Sequence, residues 1–306
     1  MDKVIRVGTR ESQLAVWQAT RIKELLGQQG IAAELAYIKS EGDIDLQTPL
    51  YEMGVQGVFT RSLDMALLNN KIDIAVHSMK DVPTQLANGI VQAAVLTRAS
   101  YKDIFVFKND ISFLNDFTSS AVIATSSIRR KAQWLNRYPG HTIENLRGNV
   151  NTRLRKVDEN NWNGAIFAAA GLERINLRPP NSIELDWMLP APAQGAIMVV
   201  CRKDDDFCLE ACAILNDAGT ALCTKTERDF LKTLLGGCST PISALAEIKN
   251  EILYFKGNIL STDGKEKAEI EMTCPVHQTG MGSRAANELL NKGGNQIADS
   301  IRHAAK

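Results

Sequence analysis

The segment Ile72-Asp73-Ile74-Ala75-Val76-His77-Ser78-Met79-Lys80-Asp81-Val82-Pro83 changes from apolar to polar halfway along, and the architecture follows from that change. Residues 72–77 form an apolar run too short for a helix, so they read as a buried strand. The strand delivers a polar turn to its carboxyl end, and Pro83 discourages any continuation. Upstream, residues 4–7 and 35–38 read as two further strands. Ser12 is placed to cap a helix carrying Leu14, Trp17, Ile22 and Leu25 on one side and ending near Gly27 or Gly30. A second helix over 62–69 carries Leu63, Ala66 and Leu67. This βαβαβ order predicts a parallel sheet with functional loops at the carboxyl ends of its strands.

Downstream the pattern repeats. Strands over 121–124, 142–146 and 165–168 alternate with helices over about 128–138 and 151–158. Pro190-Ala191-Pro192-Ala193-Gln194-Gly195 reads as a crossing, and 196–201 as a strand that returns to the first sheet. Two such lobes leave a cleft between them, a common place for ligands. The last third is organised differently, with a helix over about 221–235, strands over 244–248, 252–259 and 268–273, and a final helix with Ala286, Leu289 and Leu290. The expected division is 1–98 with 196–217, 99–195, and a small α+β domain over 218–306.

Lys plus Arg and Asp plus Glu balance at 35 each, so no global field draws the protein to nucleic acid or to an acidic membrane. A local basic cleft remains compatible with that balance. The N-terminus lacks the apolar core of a signal peptide, and no stretch reaches the ~20 apolar residues of a membrane span, so a cytoplasmic location is expected. Six cysteines without a CxxC pair are expected as free thiols, with Cys208 and Cys212 as small buried hydrophobes. Four scattered histidines without an HExxH motif argue against zinc.

Three features could carry chemistry. Arg10, Arg129, Arg130, Arg147, Arg153 and Arg174 each fall near a strand-to-helix junction. A helix N-terminus favours anions over cations, so arginines gathered there suit a bound carboxylate or phosphate held jointly by guanidinium forks, hydroxyls and backbone N–H groups. Thr125-Ser126-Ser127 with Arg129-Arg130 is the densest example. The second feature is Lys80-Asp81. It is either a solvated turn pair worth ~0–1 kcal/mol, or a carboxylate set in a cationic cleft to stabilise positive charge or shuttle a proton. Strand alternation sends His77 to the face opposite Ser78, where a structural role is expected. The third is Cys238 after Gly236-Gly237, which on spacing alone reads first as a loop cysteine without consequence.

Together these blocks resemble the porphobilinogen deaminase (hydroxymethylbilane synthase) family. The resemblance runs through Gly8-Thr9-Arg10-Glu11-Ser12, the 73–83 segment, Thr125-Ser126-Ser127-Ile128-Arg129-Arg130, Leu146-Arg147-Gly148-Asn149-Val150-Asn151-Thr152-Arg153-Leu154, Ala170-Gly171-Leu172-Glu173-Arg174 and Gly236-Gly237-Cys238. It implies an α/β fold of two lobes like type II periplasmic binding proteins plus the small C-terminal α+β domain. It implies a dipyrromethane cofactor, made from two porphobilinogen units and joined by a thioether to Cys238. Four porphobilinogen molecules would be deaminated and added in turn, and the hexapyrrole cut to release hydroxymethylbilane. Asp81 matches the catalytic carboxylate. Ser78, Lys80, Ser127, Arg129 and Arg130 match cofactor-binding positions, and Arg10, Ser12, Thr125, Arg147, Arg153, Arg174 and Gln194 match substrate-binding ones. A monomer is implied, with its product passed to uroporphyrinogen-III synthase.

The chain departs from the family pattern in a lid-like loop over 52–61. There Gln56 and Arg61 stand where lysines are frequent, and Ser62 where Glu is usual. Ala193 replaces a frequent glycine. The reading from a different class is an anion-binding or sensor protein without catalysis. A nucleic-acid protein would need a basic excess and interleaved aromatics that are missing.

Overall fold

The structure is a computed structural model and describes residues 3–39, 60–234 and 240–304. Cys238, Gln56 and most of the lid-like loop lie outside the described residues. The chain begins with β1 (Ile5–Thr9), α1 (Gln13–Gln28), β2 (Ala33–Tyr37), α2 (Arg61–Leu68), β3 (Ile74–Ser78) and β4 (Ile90–Val95). It then crosses to β5 (Asp103–Phe107), β6 (Val122–Ala124), α3 (Ile128–Arg137), β7 (Thr142–Glu144), α4 (Val150–Glu159), β8 (Gly164–Ala168), α5 (Ala169–Glu173) and β9 (Ser182–Glu184). A second crossing returns it to β10 (Ile197–Arg202) and α6 (Asp206–Ala213). The C-terminal part holds α7 (Ala218–Leu234), β11 (Ile242–Lys249), β12 (Ile252–Leu260), β13 (Lys267–Pro275), α8 (Met281–Leu289) and α9 (Asn295–Ala304).

Two five-stranded sheets share one plan. The first is ordered β2-β1-β3-β10-β4 and the second β7-β6-β8-β5-β9. In each, the fourth strand runs antiparallel to its neighbours and is the first strand laid down after a crossing: β10 on the return, β5 on the way out. The shared plan gives two α/β lobes, as expected from the sequence. The third sheet, β11-β12-β13, is antiparallel and is covered by α7 and α8.

Both faces of the first sheet are covered, so its central strands are apolar throughout rather than alternating. In β3, Ile74, Ala75 and Val76 are all buried. Helix α1 packs through Ala15, Ala19, Ile22 and Leu26, a stripe at i, i+4, i+7 and i+11. Of the other residues expected on this face, Leu25 packs at the edge of the core, Leu14 lines the cleft and only Trp17 is exposed. Small residues let the helix lie close to the sheet, and Trp17 turns toward Arg174, whose guanidinium carbon lies 5.9 Å from its ring centroid.

The two crossings lie against each other. At Gly195, with φ +88°, a Cβ would come within 2.6 Å of the Ala99 carbonyl oxygen, so only glycine fits. Ala193 is fully buried with φ +62°, a left-handed conformation that costs an L-residue roughly 1–2 kcal/mol. Glycine adds unfolded-state entropy worth about 0.5–1 kcal/mol, so Ala193→Gly is expected to stabilise the chain by about 0.5–1 kcal/mol. A denaturant midpoint that falls on this change would show that the Ala193 methyl packs well enough to outweigh its strain.

Candidate active site

The carboxyl ends of the parallel strands in both lobes face one cleft of about 340 Å³. Its lining includes Arg10, Ser12, Ser78, Lys80, Asp81, Thr125, Ser127, Arg129, Arg130, Arg147, Arg153, Arg174 and Gln194. Every site residue expected from sequence, apart from Cys238, therefore converges on one place. Asp81 is the only carboxylate among the described lining residues. Thr240 and Ile242, just beyond the undescribed 235–239 segment, also line the cleft.

Local chemistry explains how each side chain is delivered. Met79–Asp81 form one turn of 3₁₀ helix directly after β3, which places Lys80 and Asp81 at the strand's carboxyl end. Gln18 of α1 donates to the Ser78 hydroxyl at 2.9 Å. Ser127 caps α3, its hydroxyl accepting from the Arg130 backbone N–H at 3.4 Å, and Asn149 caps α4 by accepting from Thr152 at 2.9 Å. Arg129 and Arg130 follow in the first turn of α3, and Arg153 in that of α4. His77 points the other way. It is buried with Nε2 unpaired among the described residues, and burial pushes it down to about 4, so it stays neutral as a structural residue.

The cations are crowded and partly dehydrated. Burial pulls Lys80 down to about 8, against the opposing pull of Asp81, with Arg130 and Arg129 lowering it further. Arg153 falls to about 10 through burial and then the repulsion of Arg130. Arg174 falls to about 10 through burial, and its guanidinium donates to the Gly195 carbonyl at 2.7 Å. Lobe two is thus tied to the second crossing.

Three residues that organise this surface carry no signal in the sequence. Asp103, fully buried, accepts from Arg129 at 2.7 Å, from Arg130 at 2.7 and 3.0 Å, and from Gln194 at 3.0 Å. Arg129 and Arg130 therefore direct much of their donor capacity inward rather than into the cleft. Glu227 of α7 is also fully buried, paired with Arg98 at 2.6 and 3.1 Å. It further accepts the backbone N–H groups of Ala193 and Ala246, at 2.6 and 2.7 Å. Its neighbour Arg228 donates to the carbonyls of Val82 and Pro83 at 2.8 and 2.5 Å, bracing the turn that carries Asp81. Nothing in the local pattern marks these three residues, because their partners are far away along the chain.

Two tempting sites dissolve under geometry. Ser119 Oγ lies 3.1 Å from His141 Nε2, but Nδ1 accepts from the Trp134 indole N–H at 3.0 Å. Neutral imidazole must then carry its proton on Nε2, which leaves no base facing the serine. Cys208 and Cys212 are buried, as expected, and so are Cys201 and Cys223; burial pushes all four up to about 11–12.

Fold and cleft together define a two-lobed protein with a cationic cleft suited to an anionic ligand. Comparison with known proteins is consistent with this class. Residues 5–210 match the family described as "Porphobilinogen deaminase, dipyromethane cofactor binding domain", and 221–291 match "Porphobilinogen deaminase, C-terminal domain". A porphobilinogen deaminase from Chlorobium phaeobacteroides is 37% identical over 99% of both chains. A probable porphobilinogen deaminase from Methanocaldococcus jannaschii is 43% identical, covering 90% of this chain and 94% of its own. The methionine-binding protein MetQ overlays 69% of this chain and 89% of its own, at a TM-score of 0.43 and 14% identity. The chain belongs to the porphobilinogen deaminase family.

The described residues fit the dipyrromethane group named for that family's domain. Such a group carries acetate and propionate arms, and the cleft offers guanidinium, ammonium and hydroxyl donors from both lobes. Arg129 Nε is buried and has no partner among the described residues, which leaves one guanidinium donor unmatched there. No described helix is long and apolar enough to cross a membrane, and no cluster of described residues could hold a metal ion.

Proposed function

We propose that the chain is a transferase that deaminates porphobilinogen and joins four units head to tail on a dipyrromethane primer anchored at Cys238. Hydrolysis then releases hydroxymethylbilane. The observation that carries this reading is a cationic cleft, lined from both lobes, around a single described carboxylate, Asp81. When bound, the dipyrromethane supplies a pyrrole α-carbon as nucleophile.

The remaining work falls to the chain's own residues. Arg10, Arg147, Arg153 and Arg174 bind substrate carboxylates, because guanidinium forks match them two bonds at a time. Ser12, Thr125 and Gln194 add neutral donors that fix orientation. Ser78, Lys80, Ser127, Arg129 and Arg130 hold the arms of the primer. Asp81, at the exposed end of its short helix, stabilises the positive charge that develops on a pyrrole ring and accepts the proton lost when the ring regains aromaticity. All five described cysteines are buried, which favours Cys238 as the anchor; Thr240, two residues further on, lines the cleft.

Purified protein given porphobilinogen is expected to release ammonia in step with substrate loss. Tight binding without ammonia release would favour an anion-binding protein instead.

A further inference from the structure

A polar chain runs under the cleft floor from one lobe to the other. Lys80 Nζ on the first lobe donates to Gln194 Oε1 at 3.3 Å. Gln194, fully buried in the second crossing, donates through Nε2 to Asp103 Oδ1 at 3.0 Å and to the Tyr101 carbonyl at 2.8 Å. Asp103 in turn holds Arg129 through one carboxylate oxygen and Arg130 through the other. Asp103 is absent from the cleft lining, whereas Lys80, Gln194, Arg129 and Arg130 all belong to it. Its carboxylate therefore meets the cleft only through its partners.

We propose that Asp103 is a positioning residue: acting through Gln194, Arg129 and Arg130, it fixes three cations from two lobes as one array facing the bound carboxylates. The physical need is clear. Two guanidinium groups on consecutive residues repel each other and, when buried, require a counter-charge. A single carboxylate with both oxygens engaged sets their separation and rotation. Gln194 has one acceptor and one amide group, so its donation to Asp103 turns the acceptor toward Lys80. The charge of Asp103 remains despite full burial, for Arg129, Arg130 and Lys80 hold its carboxyl down at about 2. In return Asp103 favours protonated Lys80, together with Asp81 on the same turn and against Arg129 and Arg130. Deprotonation of Lys80 thus reports on the link. The proposal rests on the carboxylate-binding role assigned to this cleft.

The test compares Asp103→Asn with the unaltered full chain at temperatures well below both unfolding midpoints. Lys80 is acylated by an amine-reactive reagent across a pH series and quantified by peptide mass spectrometry, with substrate kinetics measured in parallel. Loss of Asp103's charge is expected to lower the Lys80 midpoint by about half a unit, roughly a threefold rise in labelling at neutral pH. KM for porphobilinogen is expected to rise by about tenfold, with a smaller change in kcat. Should Asp103→Asn fail to fold, Gln194→Met carries the test, since it cuts the link to Lys80 while leaving Asp103 paired with both arginines. A lower Lys80 midpoint in that variant supports the proposal. A reduced unfolding midpoint with Lys80 titration unmoved, in whichever variant folds, overturns it and leaves Asp103 a structural counter-ion. Absence of ammonia release by the unaltered chain would instead refute the functional reading, and the labelling result would still stand.

Discussion

Asp81→Asn is expected to fold normally and to bind porphobilinogen, yet to lose condensation by roughly 10²- to 10⁴-fold, the range spanned by a positioned acid or base. Asp81 is on the surface of the cleft at the end of a single 3₁₀ turn, so replacing one oxygen by an amide breaks no core packing. The turn itself is braced from α7 by Arg228, through backbone carbonyls that the substitution leaves untouched. In the proposed mechanism, what disappears is negative charge beside a ring that becomes cationic. The check is the rate of ammonia release under saturating substrate, alongside the unfolding midpoint. An Asn variant that kept most of the turnover would remove Asp81 from the chemistry.

Glu227→Gln is expected to cost about 3–5 kcal/mol of stability, as for removal of one partner from a buried ion pair. Each oxygen of Glu227 faces two donors: Arg98 and Ala246 N–H on one side, Arg98 and Ala193 N–H on the other. A glutamine must aim its own N–H₂ at one of those pairs while leaving the Arg98 charge uncompensated. Both crossings and the first strand of the C-terminal sheet meet at this carboxylate, so the loss is expected to loosen the lobes together rather than one at a time. Lys256→Gln supplies the contrast, because its partner Glu271 is exposed and such pairs contribute about 0–1 kcal/mol. Denaturant midpoints for the two variants check the prediction. A Glu227→Gln loss no larger than that of Lys256→Gln would mean that the lobes do not depend on this carboxylate.

The lobes are legible in the sequence because β3 and β6 are apolar runs followed at once by polar residues, and β8 is an apolar run leading straight into α5. The return of the chain through β10 can be read from Ala196 to Cys201. Strands β4, β5 and β9 are not legible in the same way. β9 is only three residues long and is recognisable through its pairing with β5. β5 begins with Asp103, whose burial makes sense only once Arg129 and Arg130 are seen beneath the same cleft. The cleft residues are legible because all but Gln194, which lies in a crossing, fall near a junction within a family block. Their supports are not, since Asp103, Glu227 and Arg228 find their partners through the fold. Trp17 shows the converse limit: its size places it with the apolar face of α1, but alanines at 15 and 19 let the helix pack closely without it.

The most direct measurement is the intact mass of the purified chain, followed by peptide mapping. The expected mass exceeds that of the sequence by one dipyrromethane unit, with the addition located on Cys238 and absent from Cys238→Ala. Fully active protein with an unmodified Cys238 would contradict a primer anchored there.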